Sequence, residues 1–376
     1  MIDRERLLKE FITLTAFDSE SYYEGGIRDY LKDRLIGLGL SVYEDDAGSR
    51  LGHENPRSAG NLYGRLPGEL DGSLLFCAHM DTVSPGIGKK AVIGADGRIA
   101  SDGTTVLGAD DVSGIVSILE ALTSIGEEKL PHPDIEVLFT VAEEPYCKGA
   151  SLFDYGRISS KLAYVLDLTG RVGTVAIQAP SILSLKIDVE GKAAHAGFAP
   201  EDGVNALTAS ANALAKLRTG HTSPDTTVNF GTISGGTGKN IVPAAIHIEG
   251  EIRSLRHEQA LAEAERIRTI FSEEAGRMCA KADVEVIEEI HAYSIGRDEA
   301  VVNRLGRALA ELNLGESELV TTFGGSDANC LNKNGIRSIV IANAMEQVHT
   351  VREYTSISEL EKSAKLTQAL MTLTED

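Results

Sequence analysis

Two hydrophobic periods divide the chain. Apolar residues recur at helical spacing over residues 3–13 and 23–38. A third such run starts at Asp111, where Val112, Ile115, Val116, Leu119 and Leu122 share one face. Short apolar runs with strand character open at Leu40 and cover 61–66, 73–78, 135–140 and 162–166, the last ending at Asp167. A short helix is expected at 149–153, and the glycine-bearing stretch 82–107 reads as loop. Strands alternating with helices predict a mainly parallel sheet covered by helices.

Near residue 178 the pattern changes. Residues 182–189 alternate apolar and polar, as a half-buried strand does. A helix is predicted at 202–218, strands at 226–234 and 243–254, a helix at 257–277 and a strand at 283–290. The order βαββαβ predicts a compact two-layer α/β domain. Helix 298–312 and strands near 318–322 and 337–342 then resume the first pattern. The expected organisation is a catalytic domain of 1–177 plus 293–376, with a smaller domain of 178–292 inserted between its halves. An insertion keeps His349 in the same domain as His79.

A length of 376 residues accommodates two such domains. Acidic residues outnumber basic ones 56 to 36, and no basic run is visible, which argues against a nucleic-acid partner. The cysteines at 77, 147, 279 and 330 form no close pair, a pattern expected of a reducing compartment. Cys77 lies in an apolar run and should be buried; Cys330, after Asn329, is expected in a polar turn with partial exposure. The chain opens on a charged amphipathic helix without a signal-peptide core, and it contains no 18-residue apolar span. A cytoplasmic protein with no membrane association is expected.

The chemistry concentrates where the strands end. His79 and Asp81 follow one apolar strand and Glu143–Glu144 another; Asp110–Asp111 precedes a helix, and Asp167 closes a third strand. In a parallel sheet the C-terminal strand edge is where ligands are met. His79 offers a neutral nitrogen, and Asp81 can accept the proton of its other ring nitrogen. An aspartate before a helix also caps it, which explains Asp111 and leaves Asp110 free to bridge two cations. Adjacent carboxylates repel, so Glu143–Glu144 invites a cation. The expected allotment gives one metal His79, Asp110 and Asp167, and the other Glu144, His349 and Asp110. Mixed nitrogen and oxygen donors suit zinc, with manganese or cobalt as alternatives. Glu143 is left to take a proton from the attacking water and pass it to the leaving nitrogen. His195, in a glycine-flanked turn after the first inserted strand, is a candidate donor to the tetrahedral oxyanion.

These residues together resemble the M20 metallopeptidases, and among them the peptidase T-like tripeptide aminopeptidases. The resemblance rests on His79-Met80-Asp81-Thr82-Val83, Leu107-Gly108-Ala109-Asp110-Asp111, Glu143-Glu144, Asp167, Gly324-Gly325-Ser326-Asp327-Ala328-Asn329 and His349. It implies a two-zinc catalytic domain, a lid used for dimerisation, and a cis peptide between Asp110 and Asp111. It also implies that His195 reaches the active site of a partner subunit. Asn240, in Gly238-Lys239-Asn240-Ile241-Val242-Pro243, matches a substrate loop, and Arg253 matches the arginine that holds a substrate carboxylate through its bidentate fork. The expected activity is removal of the N-terminal residue from tripeptides or other short peptides. The alternatives are an N-acyl amino acid deacylase, a dipeptidase or a carboxypeptidase of the same fold. A non-catalytic metal- or peptide-binding protein is disfavoured, because ligation alone does not require an additional Glu143.

Overall fold

A computed structural model describes residues 1–52 and 57–374. Residues 53–56 and 375–376, inside the ranges expected for the catalytic domain, lie outside the described residues. The chain forms two compact units: Met1–Gln178 with Ser294–Thr322 and Ser326–Asp376, and Ala179–Tyr293 with Phe323–Gly325.

The first unit opens with α1 (Arg4–Thr15), α2 (Gly25–Gly37), β1 (Ser41–Glu44), α3 (Ala47–Arg50), β2 (Leu62–Leu66) and β3 (Ser73–His79). It continues through β4 (Ala91–Ile93), β5 (Arg98–Ser101), α4 (Ala109–Glu128), β6 (Asp134–Thr140), α5 (Lys148–Leu152), β7 (Leu162–Thr169) and β8 (Thr174–Ala179). The second unit holds β9 (Ser181–Glu190), α6 (Ala206–Leu214), β10 (Gly220–Ser223), β11 (Thr226–Gly235), β12 (Ala245–Ser254), α7 (His257–Arg277) and β13 (Lys281–Ile290). The first unit then resumes with β14 (Tyr293–Ser294), α8 (Ala300–Glu311), β15 (Glu318–Thr321), α9 (Asp327–Lys333), β16 (Arg337–Met345), β17 (Tyr354–Ser356) and α10 (Ile357–Thr372).

The main sheet of the first unit runs β1-β2-β6-β3-β7-β16-β8-β14, with β15 paired to β8. Its centre, β6-β3-β7-β16, is parallel throughout, while β1 and β2 add antiparallel strands on one side. Strands covered on both faces need continuous apolar runs, and β3 supplies one: Leu74 to His79 is buried at every position. Helix α4 is buried along most of its length because it is enclosed by α1, α10 and the strands β3, β7 and β16. It approaches the sheet closely at Gly114, where a Cβ would lie 2.5 Å from the Leu166 carbonyl oxygen and 2.5 Å from Asp111 Oδ1. β7 extends beyond its expected end at Asp167 to Thr169, because β16 continues to pair with it at Leu168 and Thr169.

In the second unit the sheet runs β10-β11-β12-β9-β13. Leu183, Leu185, Ile187 and Val189 project from one face of β9 onto α6 and α7, meeting Ala209, Ala213, Ala264, Ile267 and Phe271. The predicted helix 202–218 shortens to α6. Val204 instead pairs with Lys192, each backbone N–H donating to the other's carbonyl at 2.9 Å, and Asn205 caps the helix by accepting from Thr208 N.

Further corrections concern short pieces. Residues 91–93 and 98–101, expected as loop, form β4 and β5, which join β17 in a three-stranded sheet. Cys330 lies in α9, not in an exposed turn, and is buried. No helix among the described residues is long and apolar enough to cross a membrane.

Candidate metal centre

Four parallel strands deliver the site to one sheet edge. His79 is the last residue of β3; Glu143 and Glu144 follow β6; Asp167 lies near the end of β7; His349 lies in the loop after β16. Asp110 enters from the start of α4, where the Asp110–Asp111 peptide is cis. His79 Nε2 lies 3.0 Å from Asp110 Oδ1 and 3.9 Å from Asp167 Oδ1. His349 Nε2 lies 3.1 Å from Asp110 Oδ2 and 3.0 Å from Glu144 Oε2. The two oxygens of Asp110 therefore face different histidines.

A polar scaffold fixes these donors. His79 Nδ1 is 2.9 Å from the Asp81 carbonyl oxygen and 3.4 Å from its Oδ1, so the backbone of Asp81 is the nearer partner of the ring. The Asp81 carboxylate has further partners. Oδ1 accepts from Glu143 N at 2.9 Å, and Oδ2 accepts from Glu144 N at 3.2 Å and Ser21 Oγ at 2.7 Å. The Asp111 carboxylate is held by three protein donors: its oxygens accept from His79 N, Gly114 N and Asn343 Nδ2.

Glu353 was not among the expected residues. Its carboxylate accepts from the backbone N–H groups of Leu107 at 2.7 Å, Gly108 at 2.8 Å and Asp110 at 2.9 Å. Burial pushes its carboxyl up to about 7 against those three bonds. The loop bearing Glu353 and His349 is closed by reciprocal backbone bonds between Glu346 and Tyr354, and β17 then anchors it to β5.

Electrostatics test whether cations fit. Burial pushes the Asp167 and Glu143 carboxyls well above the usual range, and it raises Glu144 as well. Burial also works against ionised Asp110, but hydrogen bonds from His349 and His79 prevail and hold its carboxyl low. His349 is pushed up to about 10 by Asp110 and then Glu144. Negative charge is thus crowded in a desolvated place that draws positive charge in. Glu144 Oε1, buried, has no hydrogen-bond partner among the described residues. Donor atoms of His79, Asp110 and Glu144, and of His79, Asp111 and Asp167, lie within 4.8 Å of one another. The donor set fits divalent cations.

Glu143 is placed apart from this set. Its Oε1 accepts from Cys147 Sγ at 3.3 Å, and it clusters with Cys147 and Asp327. Asp327, in the family-like motif, accepts from Thr140 Oγ1, and Asn329 Oδ1 accepts from Ser326 N at the start of α9.

The second unit carries His195, Asn240 and Arg253. His195 and Asn240 sit on adjoining loops, with Ala196 N donating to the Asn240 carbonyl and His195 bridged to Ile241. His195 Nδ1 accepts from Gly197 N and Phe198 N, both at 3.2 Å, and its ring stacks on exposed Phe198. This leaves the ring proton on Nε2. The Arg253 guanidinium is already engaged: Nε and one terminal nitrogen donate to Glu251 Oε1 and Oε2 at 2.9 and 3.1 Å, and the other donates to the Phe323 carbonyl at 2.9 Å.

The fold and the donor cluster define a metallopeptidase. The chain belongs to the M20 family, in its peptidase T-like branch. A peptidase dimerisation domain profile matches residues 177–279, and a profile for peptidase family M28 matches 61–175, the segment carrying His79 through Asp167. A solved aminopeptidase PepT from Bacillus cereus is 39% identical, with a TM-score of 0.91 over 99% of this chain and 98% of that one. A solved tripeptidase from Staphylococcus aureus is 33% identical, with a TM-score of 0.93 over 99% of each chain. An uncharacterised Bacillus subtilis protein, YqjE, is 38% identical over 99% of both sequences.

Proposed function

We propose that the protein is an aminopeptidase that releases the N-terminal residue of tripeptides and other short peptides, using two divalent cations held by His79, Asp110, Asp167, Glu144 and His349. The observation that carries this reading is the convergence of those donors around the two-sided Asp110 carboxylate, with Glu143 left outside them. Zinc suits the mixed donors best, with manganese or cobalt as substitutes. When bound, the cations polarise the scissile carbonyl and make water a competent nucleophile near neutral pH.

The chain's residues do the rest. Glu143 takes the proton of the attacking water and delivers it to the leaving nitrogen. Asp81 positions it, because the same carboxylate holds the backbone of Glu143 and of Glu144. His195 presents Nε2–H to the developing oxyanion, contributed across a homodimer whose contacts lie in the inserted domain of 178–292. The matching dimerisation profile supports that arrangement. Arg253 holds the substrate carboxylate by exchanging Glu251 for it, and Asn240 lines the substrate loop. A cytoplasmic location accords with four free cysteines.

The names of the two solved relatives favour an unblocked short peptide as substrate over an acylated amino acid. The test is a panel of a tripeptide, a dipeptide, an N-blocked tripeptide and an N-acetyl amino acid, each with zinc, manganese or cobalt. Release of the first residue from the unblocked tripeptide alone is expected; hydrolysis of the acetylated compound instead would reassign the substrate class.

Two variants examine the supporting roles. His195→Ala should lower kcat by about 10²–10³-fold, the usual cost of one oxyanion donor, and unchanged tripeptide kinetics would remove His195 from the mechanism. Glu353→Gln loses charge at the acceptor of three backbone donors. It should weaken metal affinity about 10–100-fold, read by competition with a chromogenic chelator; affinity equal to wild type would show that the 107–110 loop holds without it.

A further inference from the structure

A second group of metal-type donors lies in the inserted unit. His257 is the first residue of α7, which has no side-chain N-cap. Glu288 lies near the end of β13, and His291 is the residue that follows it. Residues three apart on a regular strand face opposite sides, but β13 carries a register irregularity between Glu288 and Ile290. The extra residue reverses the alternation and brings Glu288 and His291 to one side. His291 Nδ1 lies 3.1 Å from Glu288 Oε1, and His257 Nε2 lies 3.6 Å from Glu288 Oε2. The two imidazole centroids are 4.0 Å apart with planes inclined by 34°. One donor atom of each residue lies within 4.8 Å of the others.

We infer that His257, Glu288 and His291 form a further transition-metal site, made of residues different from those of the catalytic centre. Bond lengths of about 2.0–2.2 Å at a tetrahedral ion place ligand atoms roughly 3.3–3.6 Å apart, within reach of the present spacing by small side-chain rotations. His257 Nε2 and Glu288 Oε2 are 3.6 Å apart, beyond hydrogen-bond reach, whereas His291 Nδ1 is hydrogen-bonded to Glu288 Oε1 at 3.1 Å and releases that bond when an ion enters.

The second observation concerns what holds the His257 ring. Its Nδ1 lies 3.0 Å from Ser181 Oγ, and that oxygen is itself fixed by accepting from Ala292 N at 2.8 Å. The hydroxyl keeps a lone pair that can accept from Nδ1–H, the tautomer that turns the Nε2 lone pair toward Glu288 and orients metal-binding histidines. The side chains of His257, Glu288 and His291 are 18%, 33% and 32% exposed, so an ion can enter and water can complete its coordination. Two imidazoles and one carboxylate select zinc, nickel, cobalt or copper over magnesium and calcium. An ion here joins the start of α7 to the end of β13, while Ser181 ties in the start of β9. Its effect is on the stability of the inserted unit, not on peptide hydrolysis.

The probe is zinc. Chelator-stripped full-length protein is equilibrated with zinc chloride and desalted, and zinc per chain is measured. Glu288→Gln and His291→Ala should each bind one zinc fewer than wild type while retaining tripeptide turnover. That difference stands whatever number the catalytic centre holds. Crystals of the zinc-equilibrated wild type, measured at the zinc edge, should show an anomalous peak among His257, Glu288 and His291, which decides the matter even if a variant fails to fold. Equal zinc content in wild type and both folded variants, or a map without that peak, would overturn the site.

Discussion

Glu143→Ala should keep the metal content of the wild-type protein and lower kcat by about 10²–10⁴-fold, the range for removing a general base. The residue lies next to the donor cluster but outside the groups around Asp110, so its loss deletes a proton carrier and no proposed ligand. Two measurements separate the roles. Metal analysis should give wild-type stoichiometry, and tripeptide turnover should be nearly abolished with KM little changed. Near-normal turnover with full metal would place the proton elsewhere. Loss of metal with loss of turnover would make Glu143 a ligand.

Asp110→Ala should do the opposite, removing metal and activity together. Asp110 Oδ1 faces His79 at 3.0 Å and Oδ2 faces His349 at 3.1 Å, so one side chain serves both halves of the centre. Its loss also strips both histidines of an anionic partner in a crowded, largely desolvated site. The loss of metal affinity should exceed the roughly 10–100-fold cost of removing a supporting residue such as Glu353. Metal analysis after desalting and a stopped tripeptide assay test this. A variant that retains two tightly bound ions would rule out a shared carboxylate. A circular dichroism spectrum matching wild type shows that the fold survives.

What the sequence exposes and what it hides follow from range. The strands carrying His79, Glu143 and Asp167 are legible because burial on both faces demands unbroken apolar runs. α7 is legible because it spans 21 residues at one period. The helix α10 carries its own signal at Ile357, Leu360, Ala364, Thr367 and Met371, outside the set of elements predicted above. β4, β5 and β17 are three or four residues each; β4 and β5 form a short hairpin, and β5 takes its other neighbour, β17, from more than 250 positions away. No local period announces such pairing. Glu353 is hidden for the same reason: one glutamate in a polar stretch becomes structural only when the 107–110 loop folds against it. Asp81 shows a different limit. A His-x-Asp triplet suggests a carboxylate touching the ring; the fold keeps Oδ1 within 3.4 Å of it, gives the nearer contact to the carbonyl, and engages the carboxylate with two amides and Ser21 as well. Arg253 likewise reads as an open fork in the sequence and is found clasping Glu251, two residues away on the same strand.

The position of β16 bears on the order in which the protein can be made. Residues 337–345 lie between β7 and β8, strands translated some 160 residues earlier. A growing chain therefore carries a split sheet, with the edge of β7 awaiting its neighbour while the whole inserted unit is synthesised. His349 and Glu353 emerge only after that neighbour. Until then the nascent polypeptide has neither His349 nor the Glu353 clamp on the Asp110 loop, and the β7 edge is an unpaired strand edge.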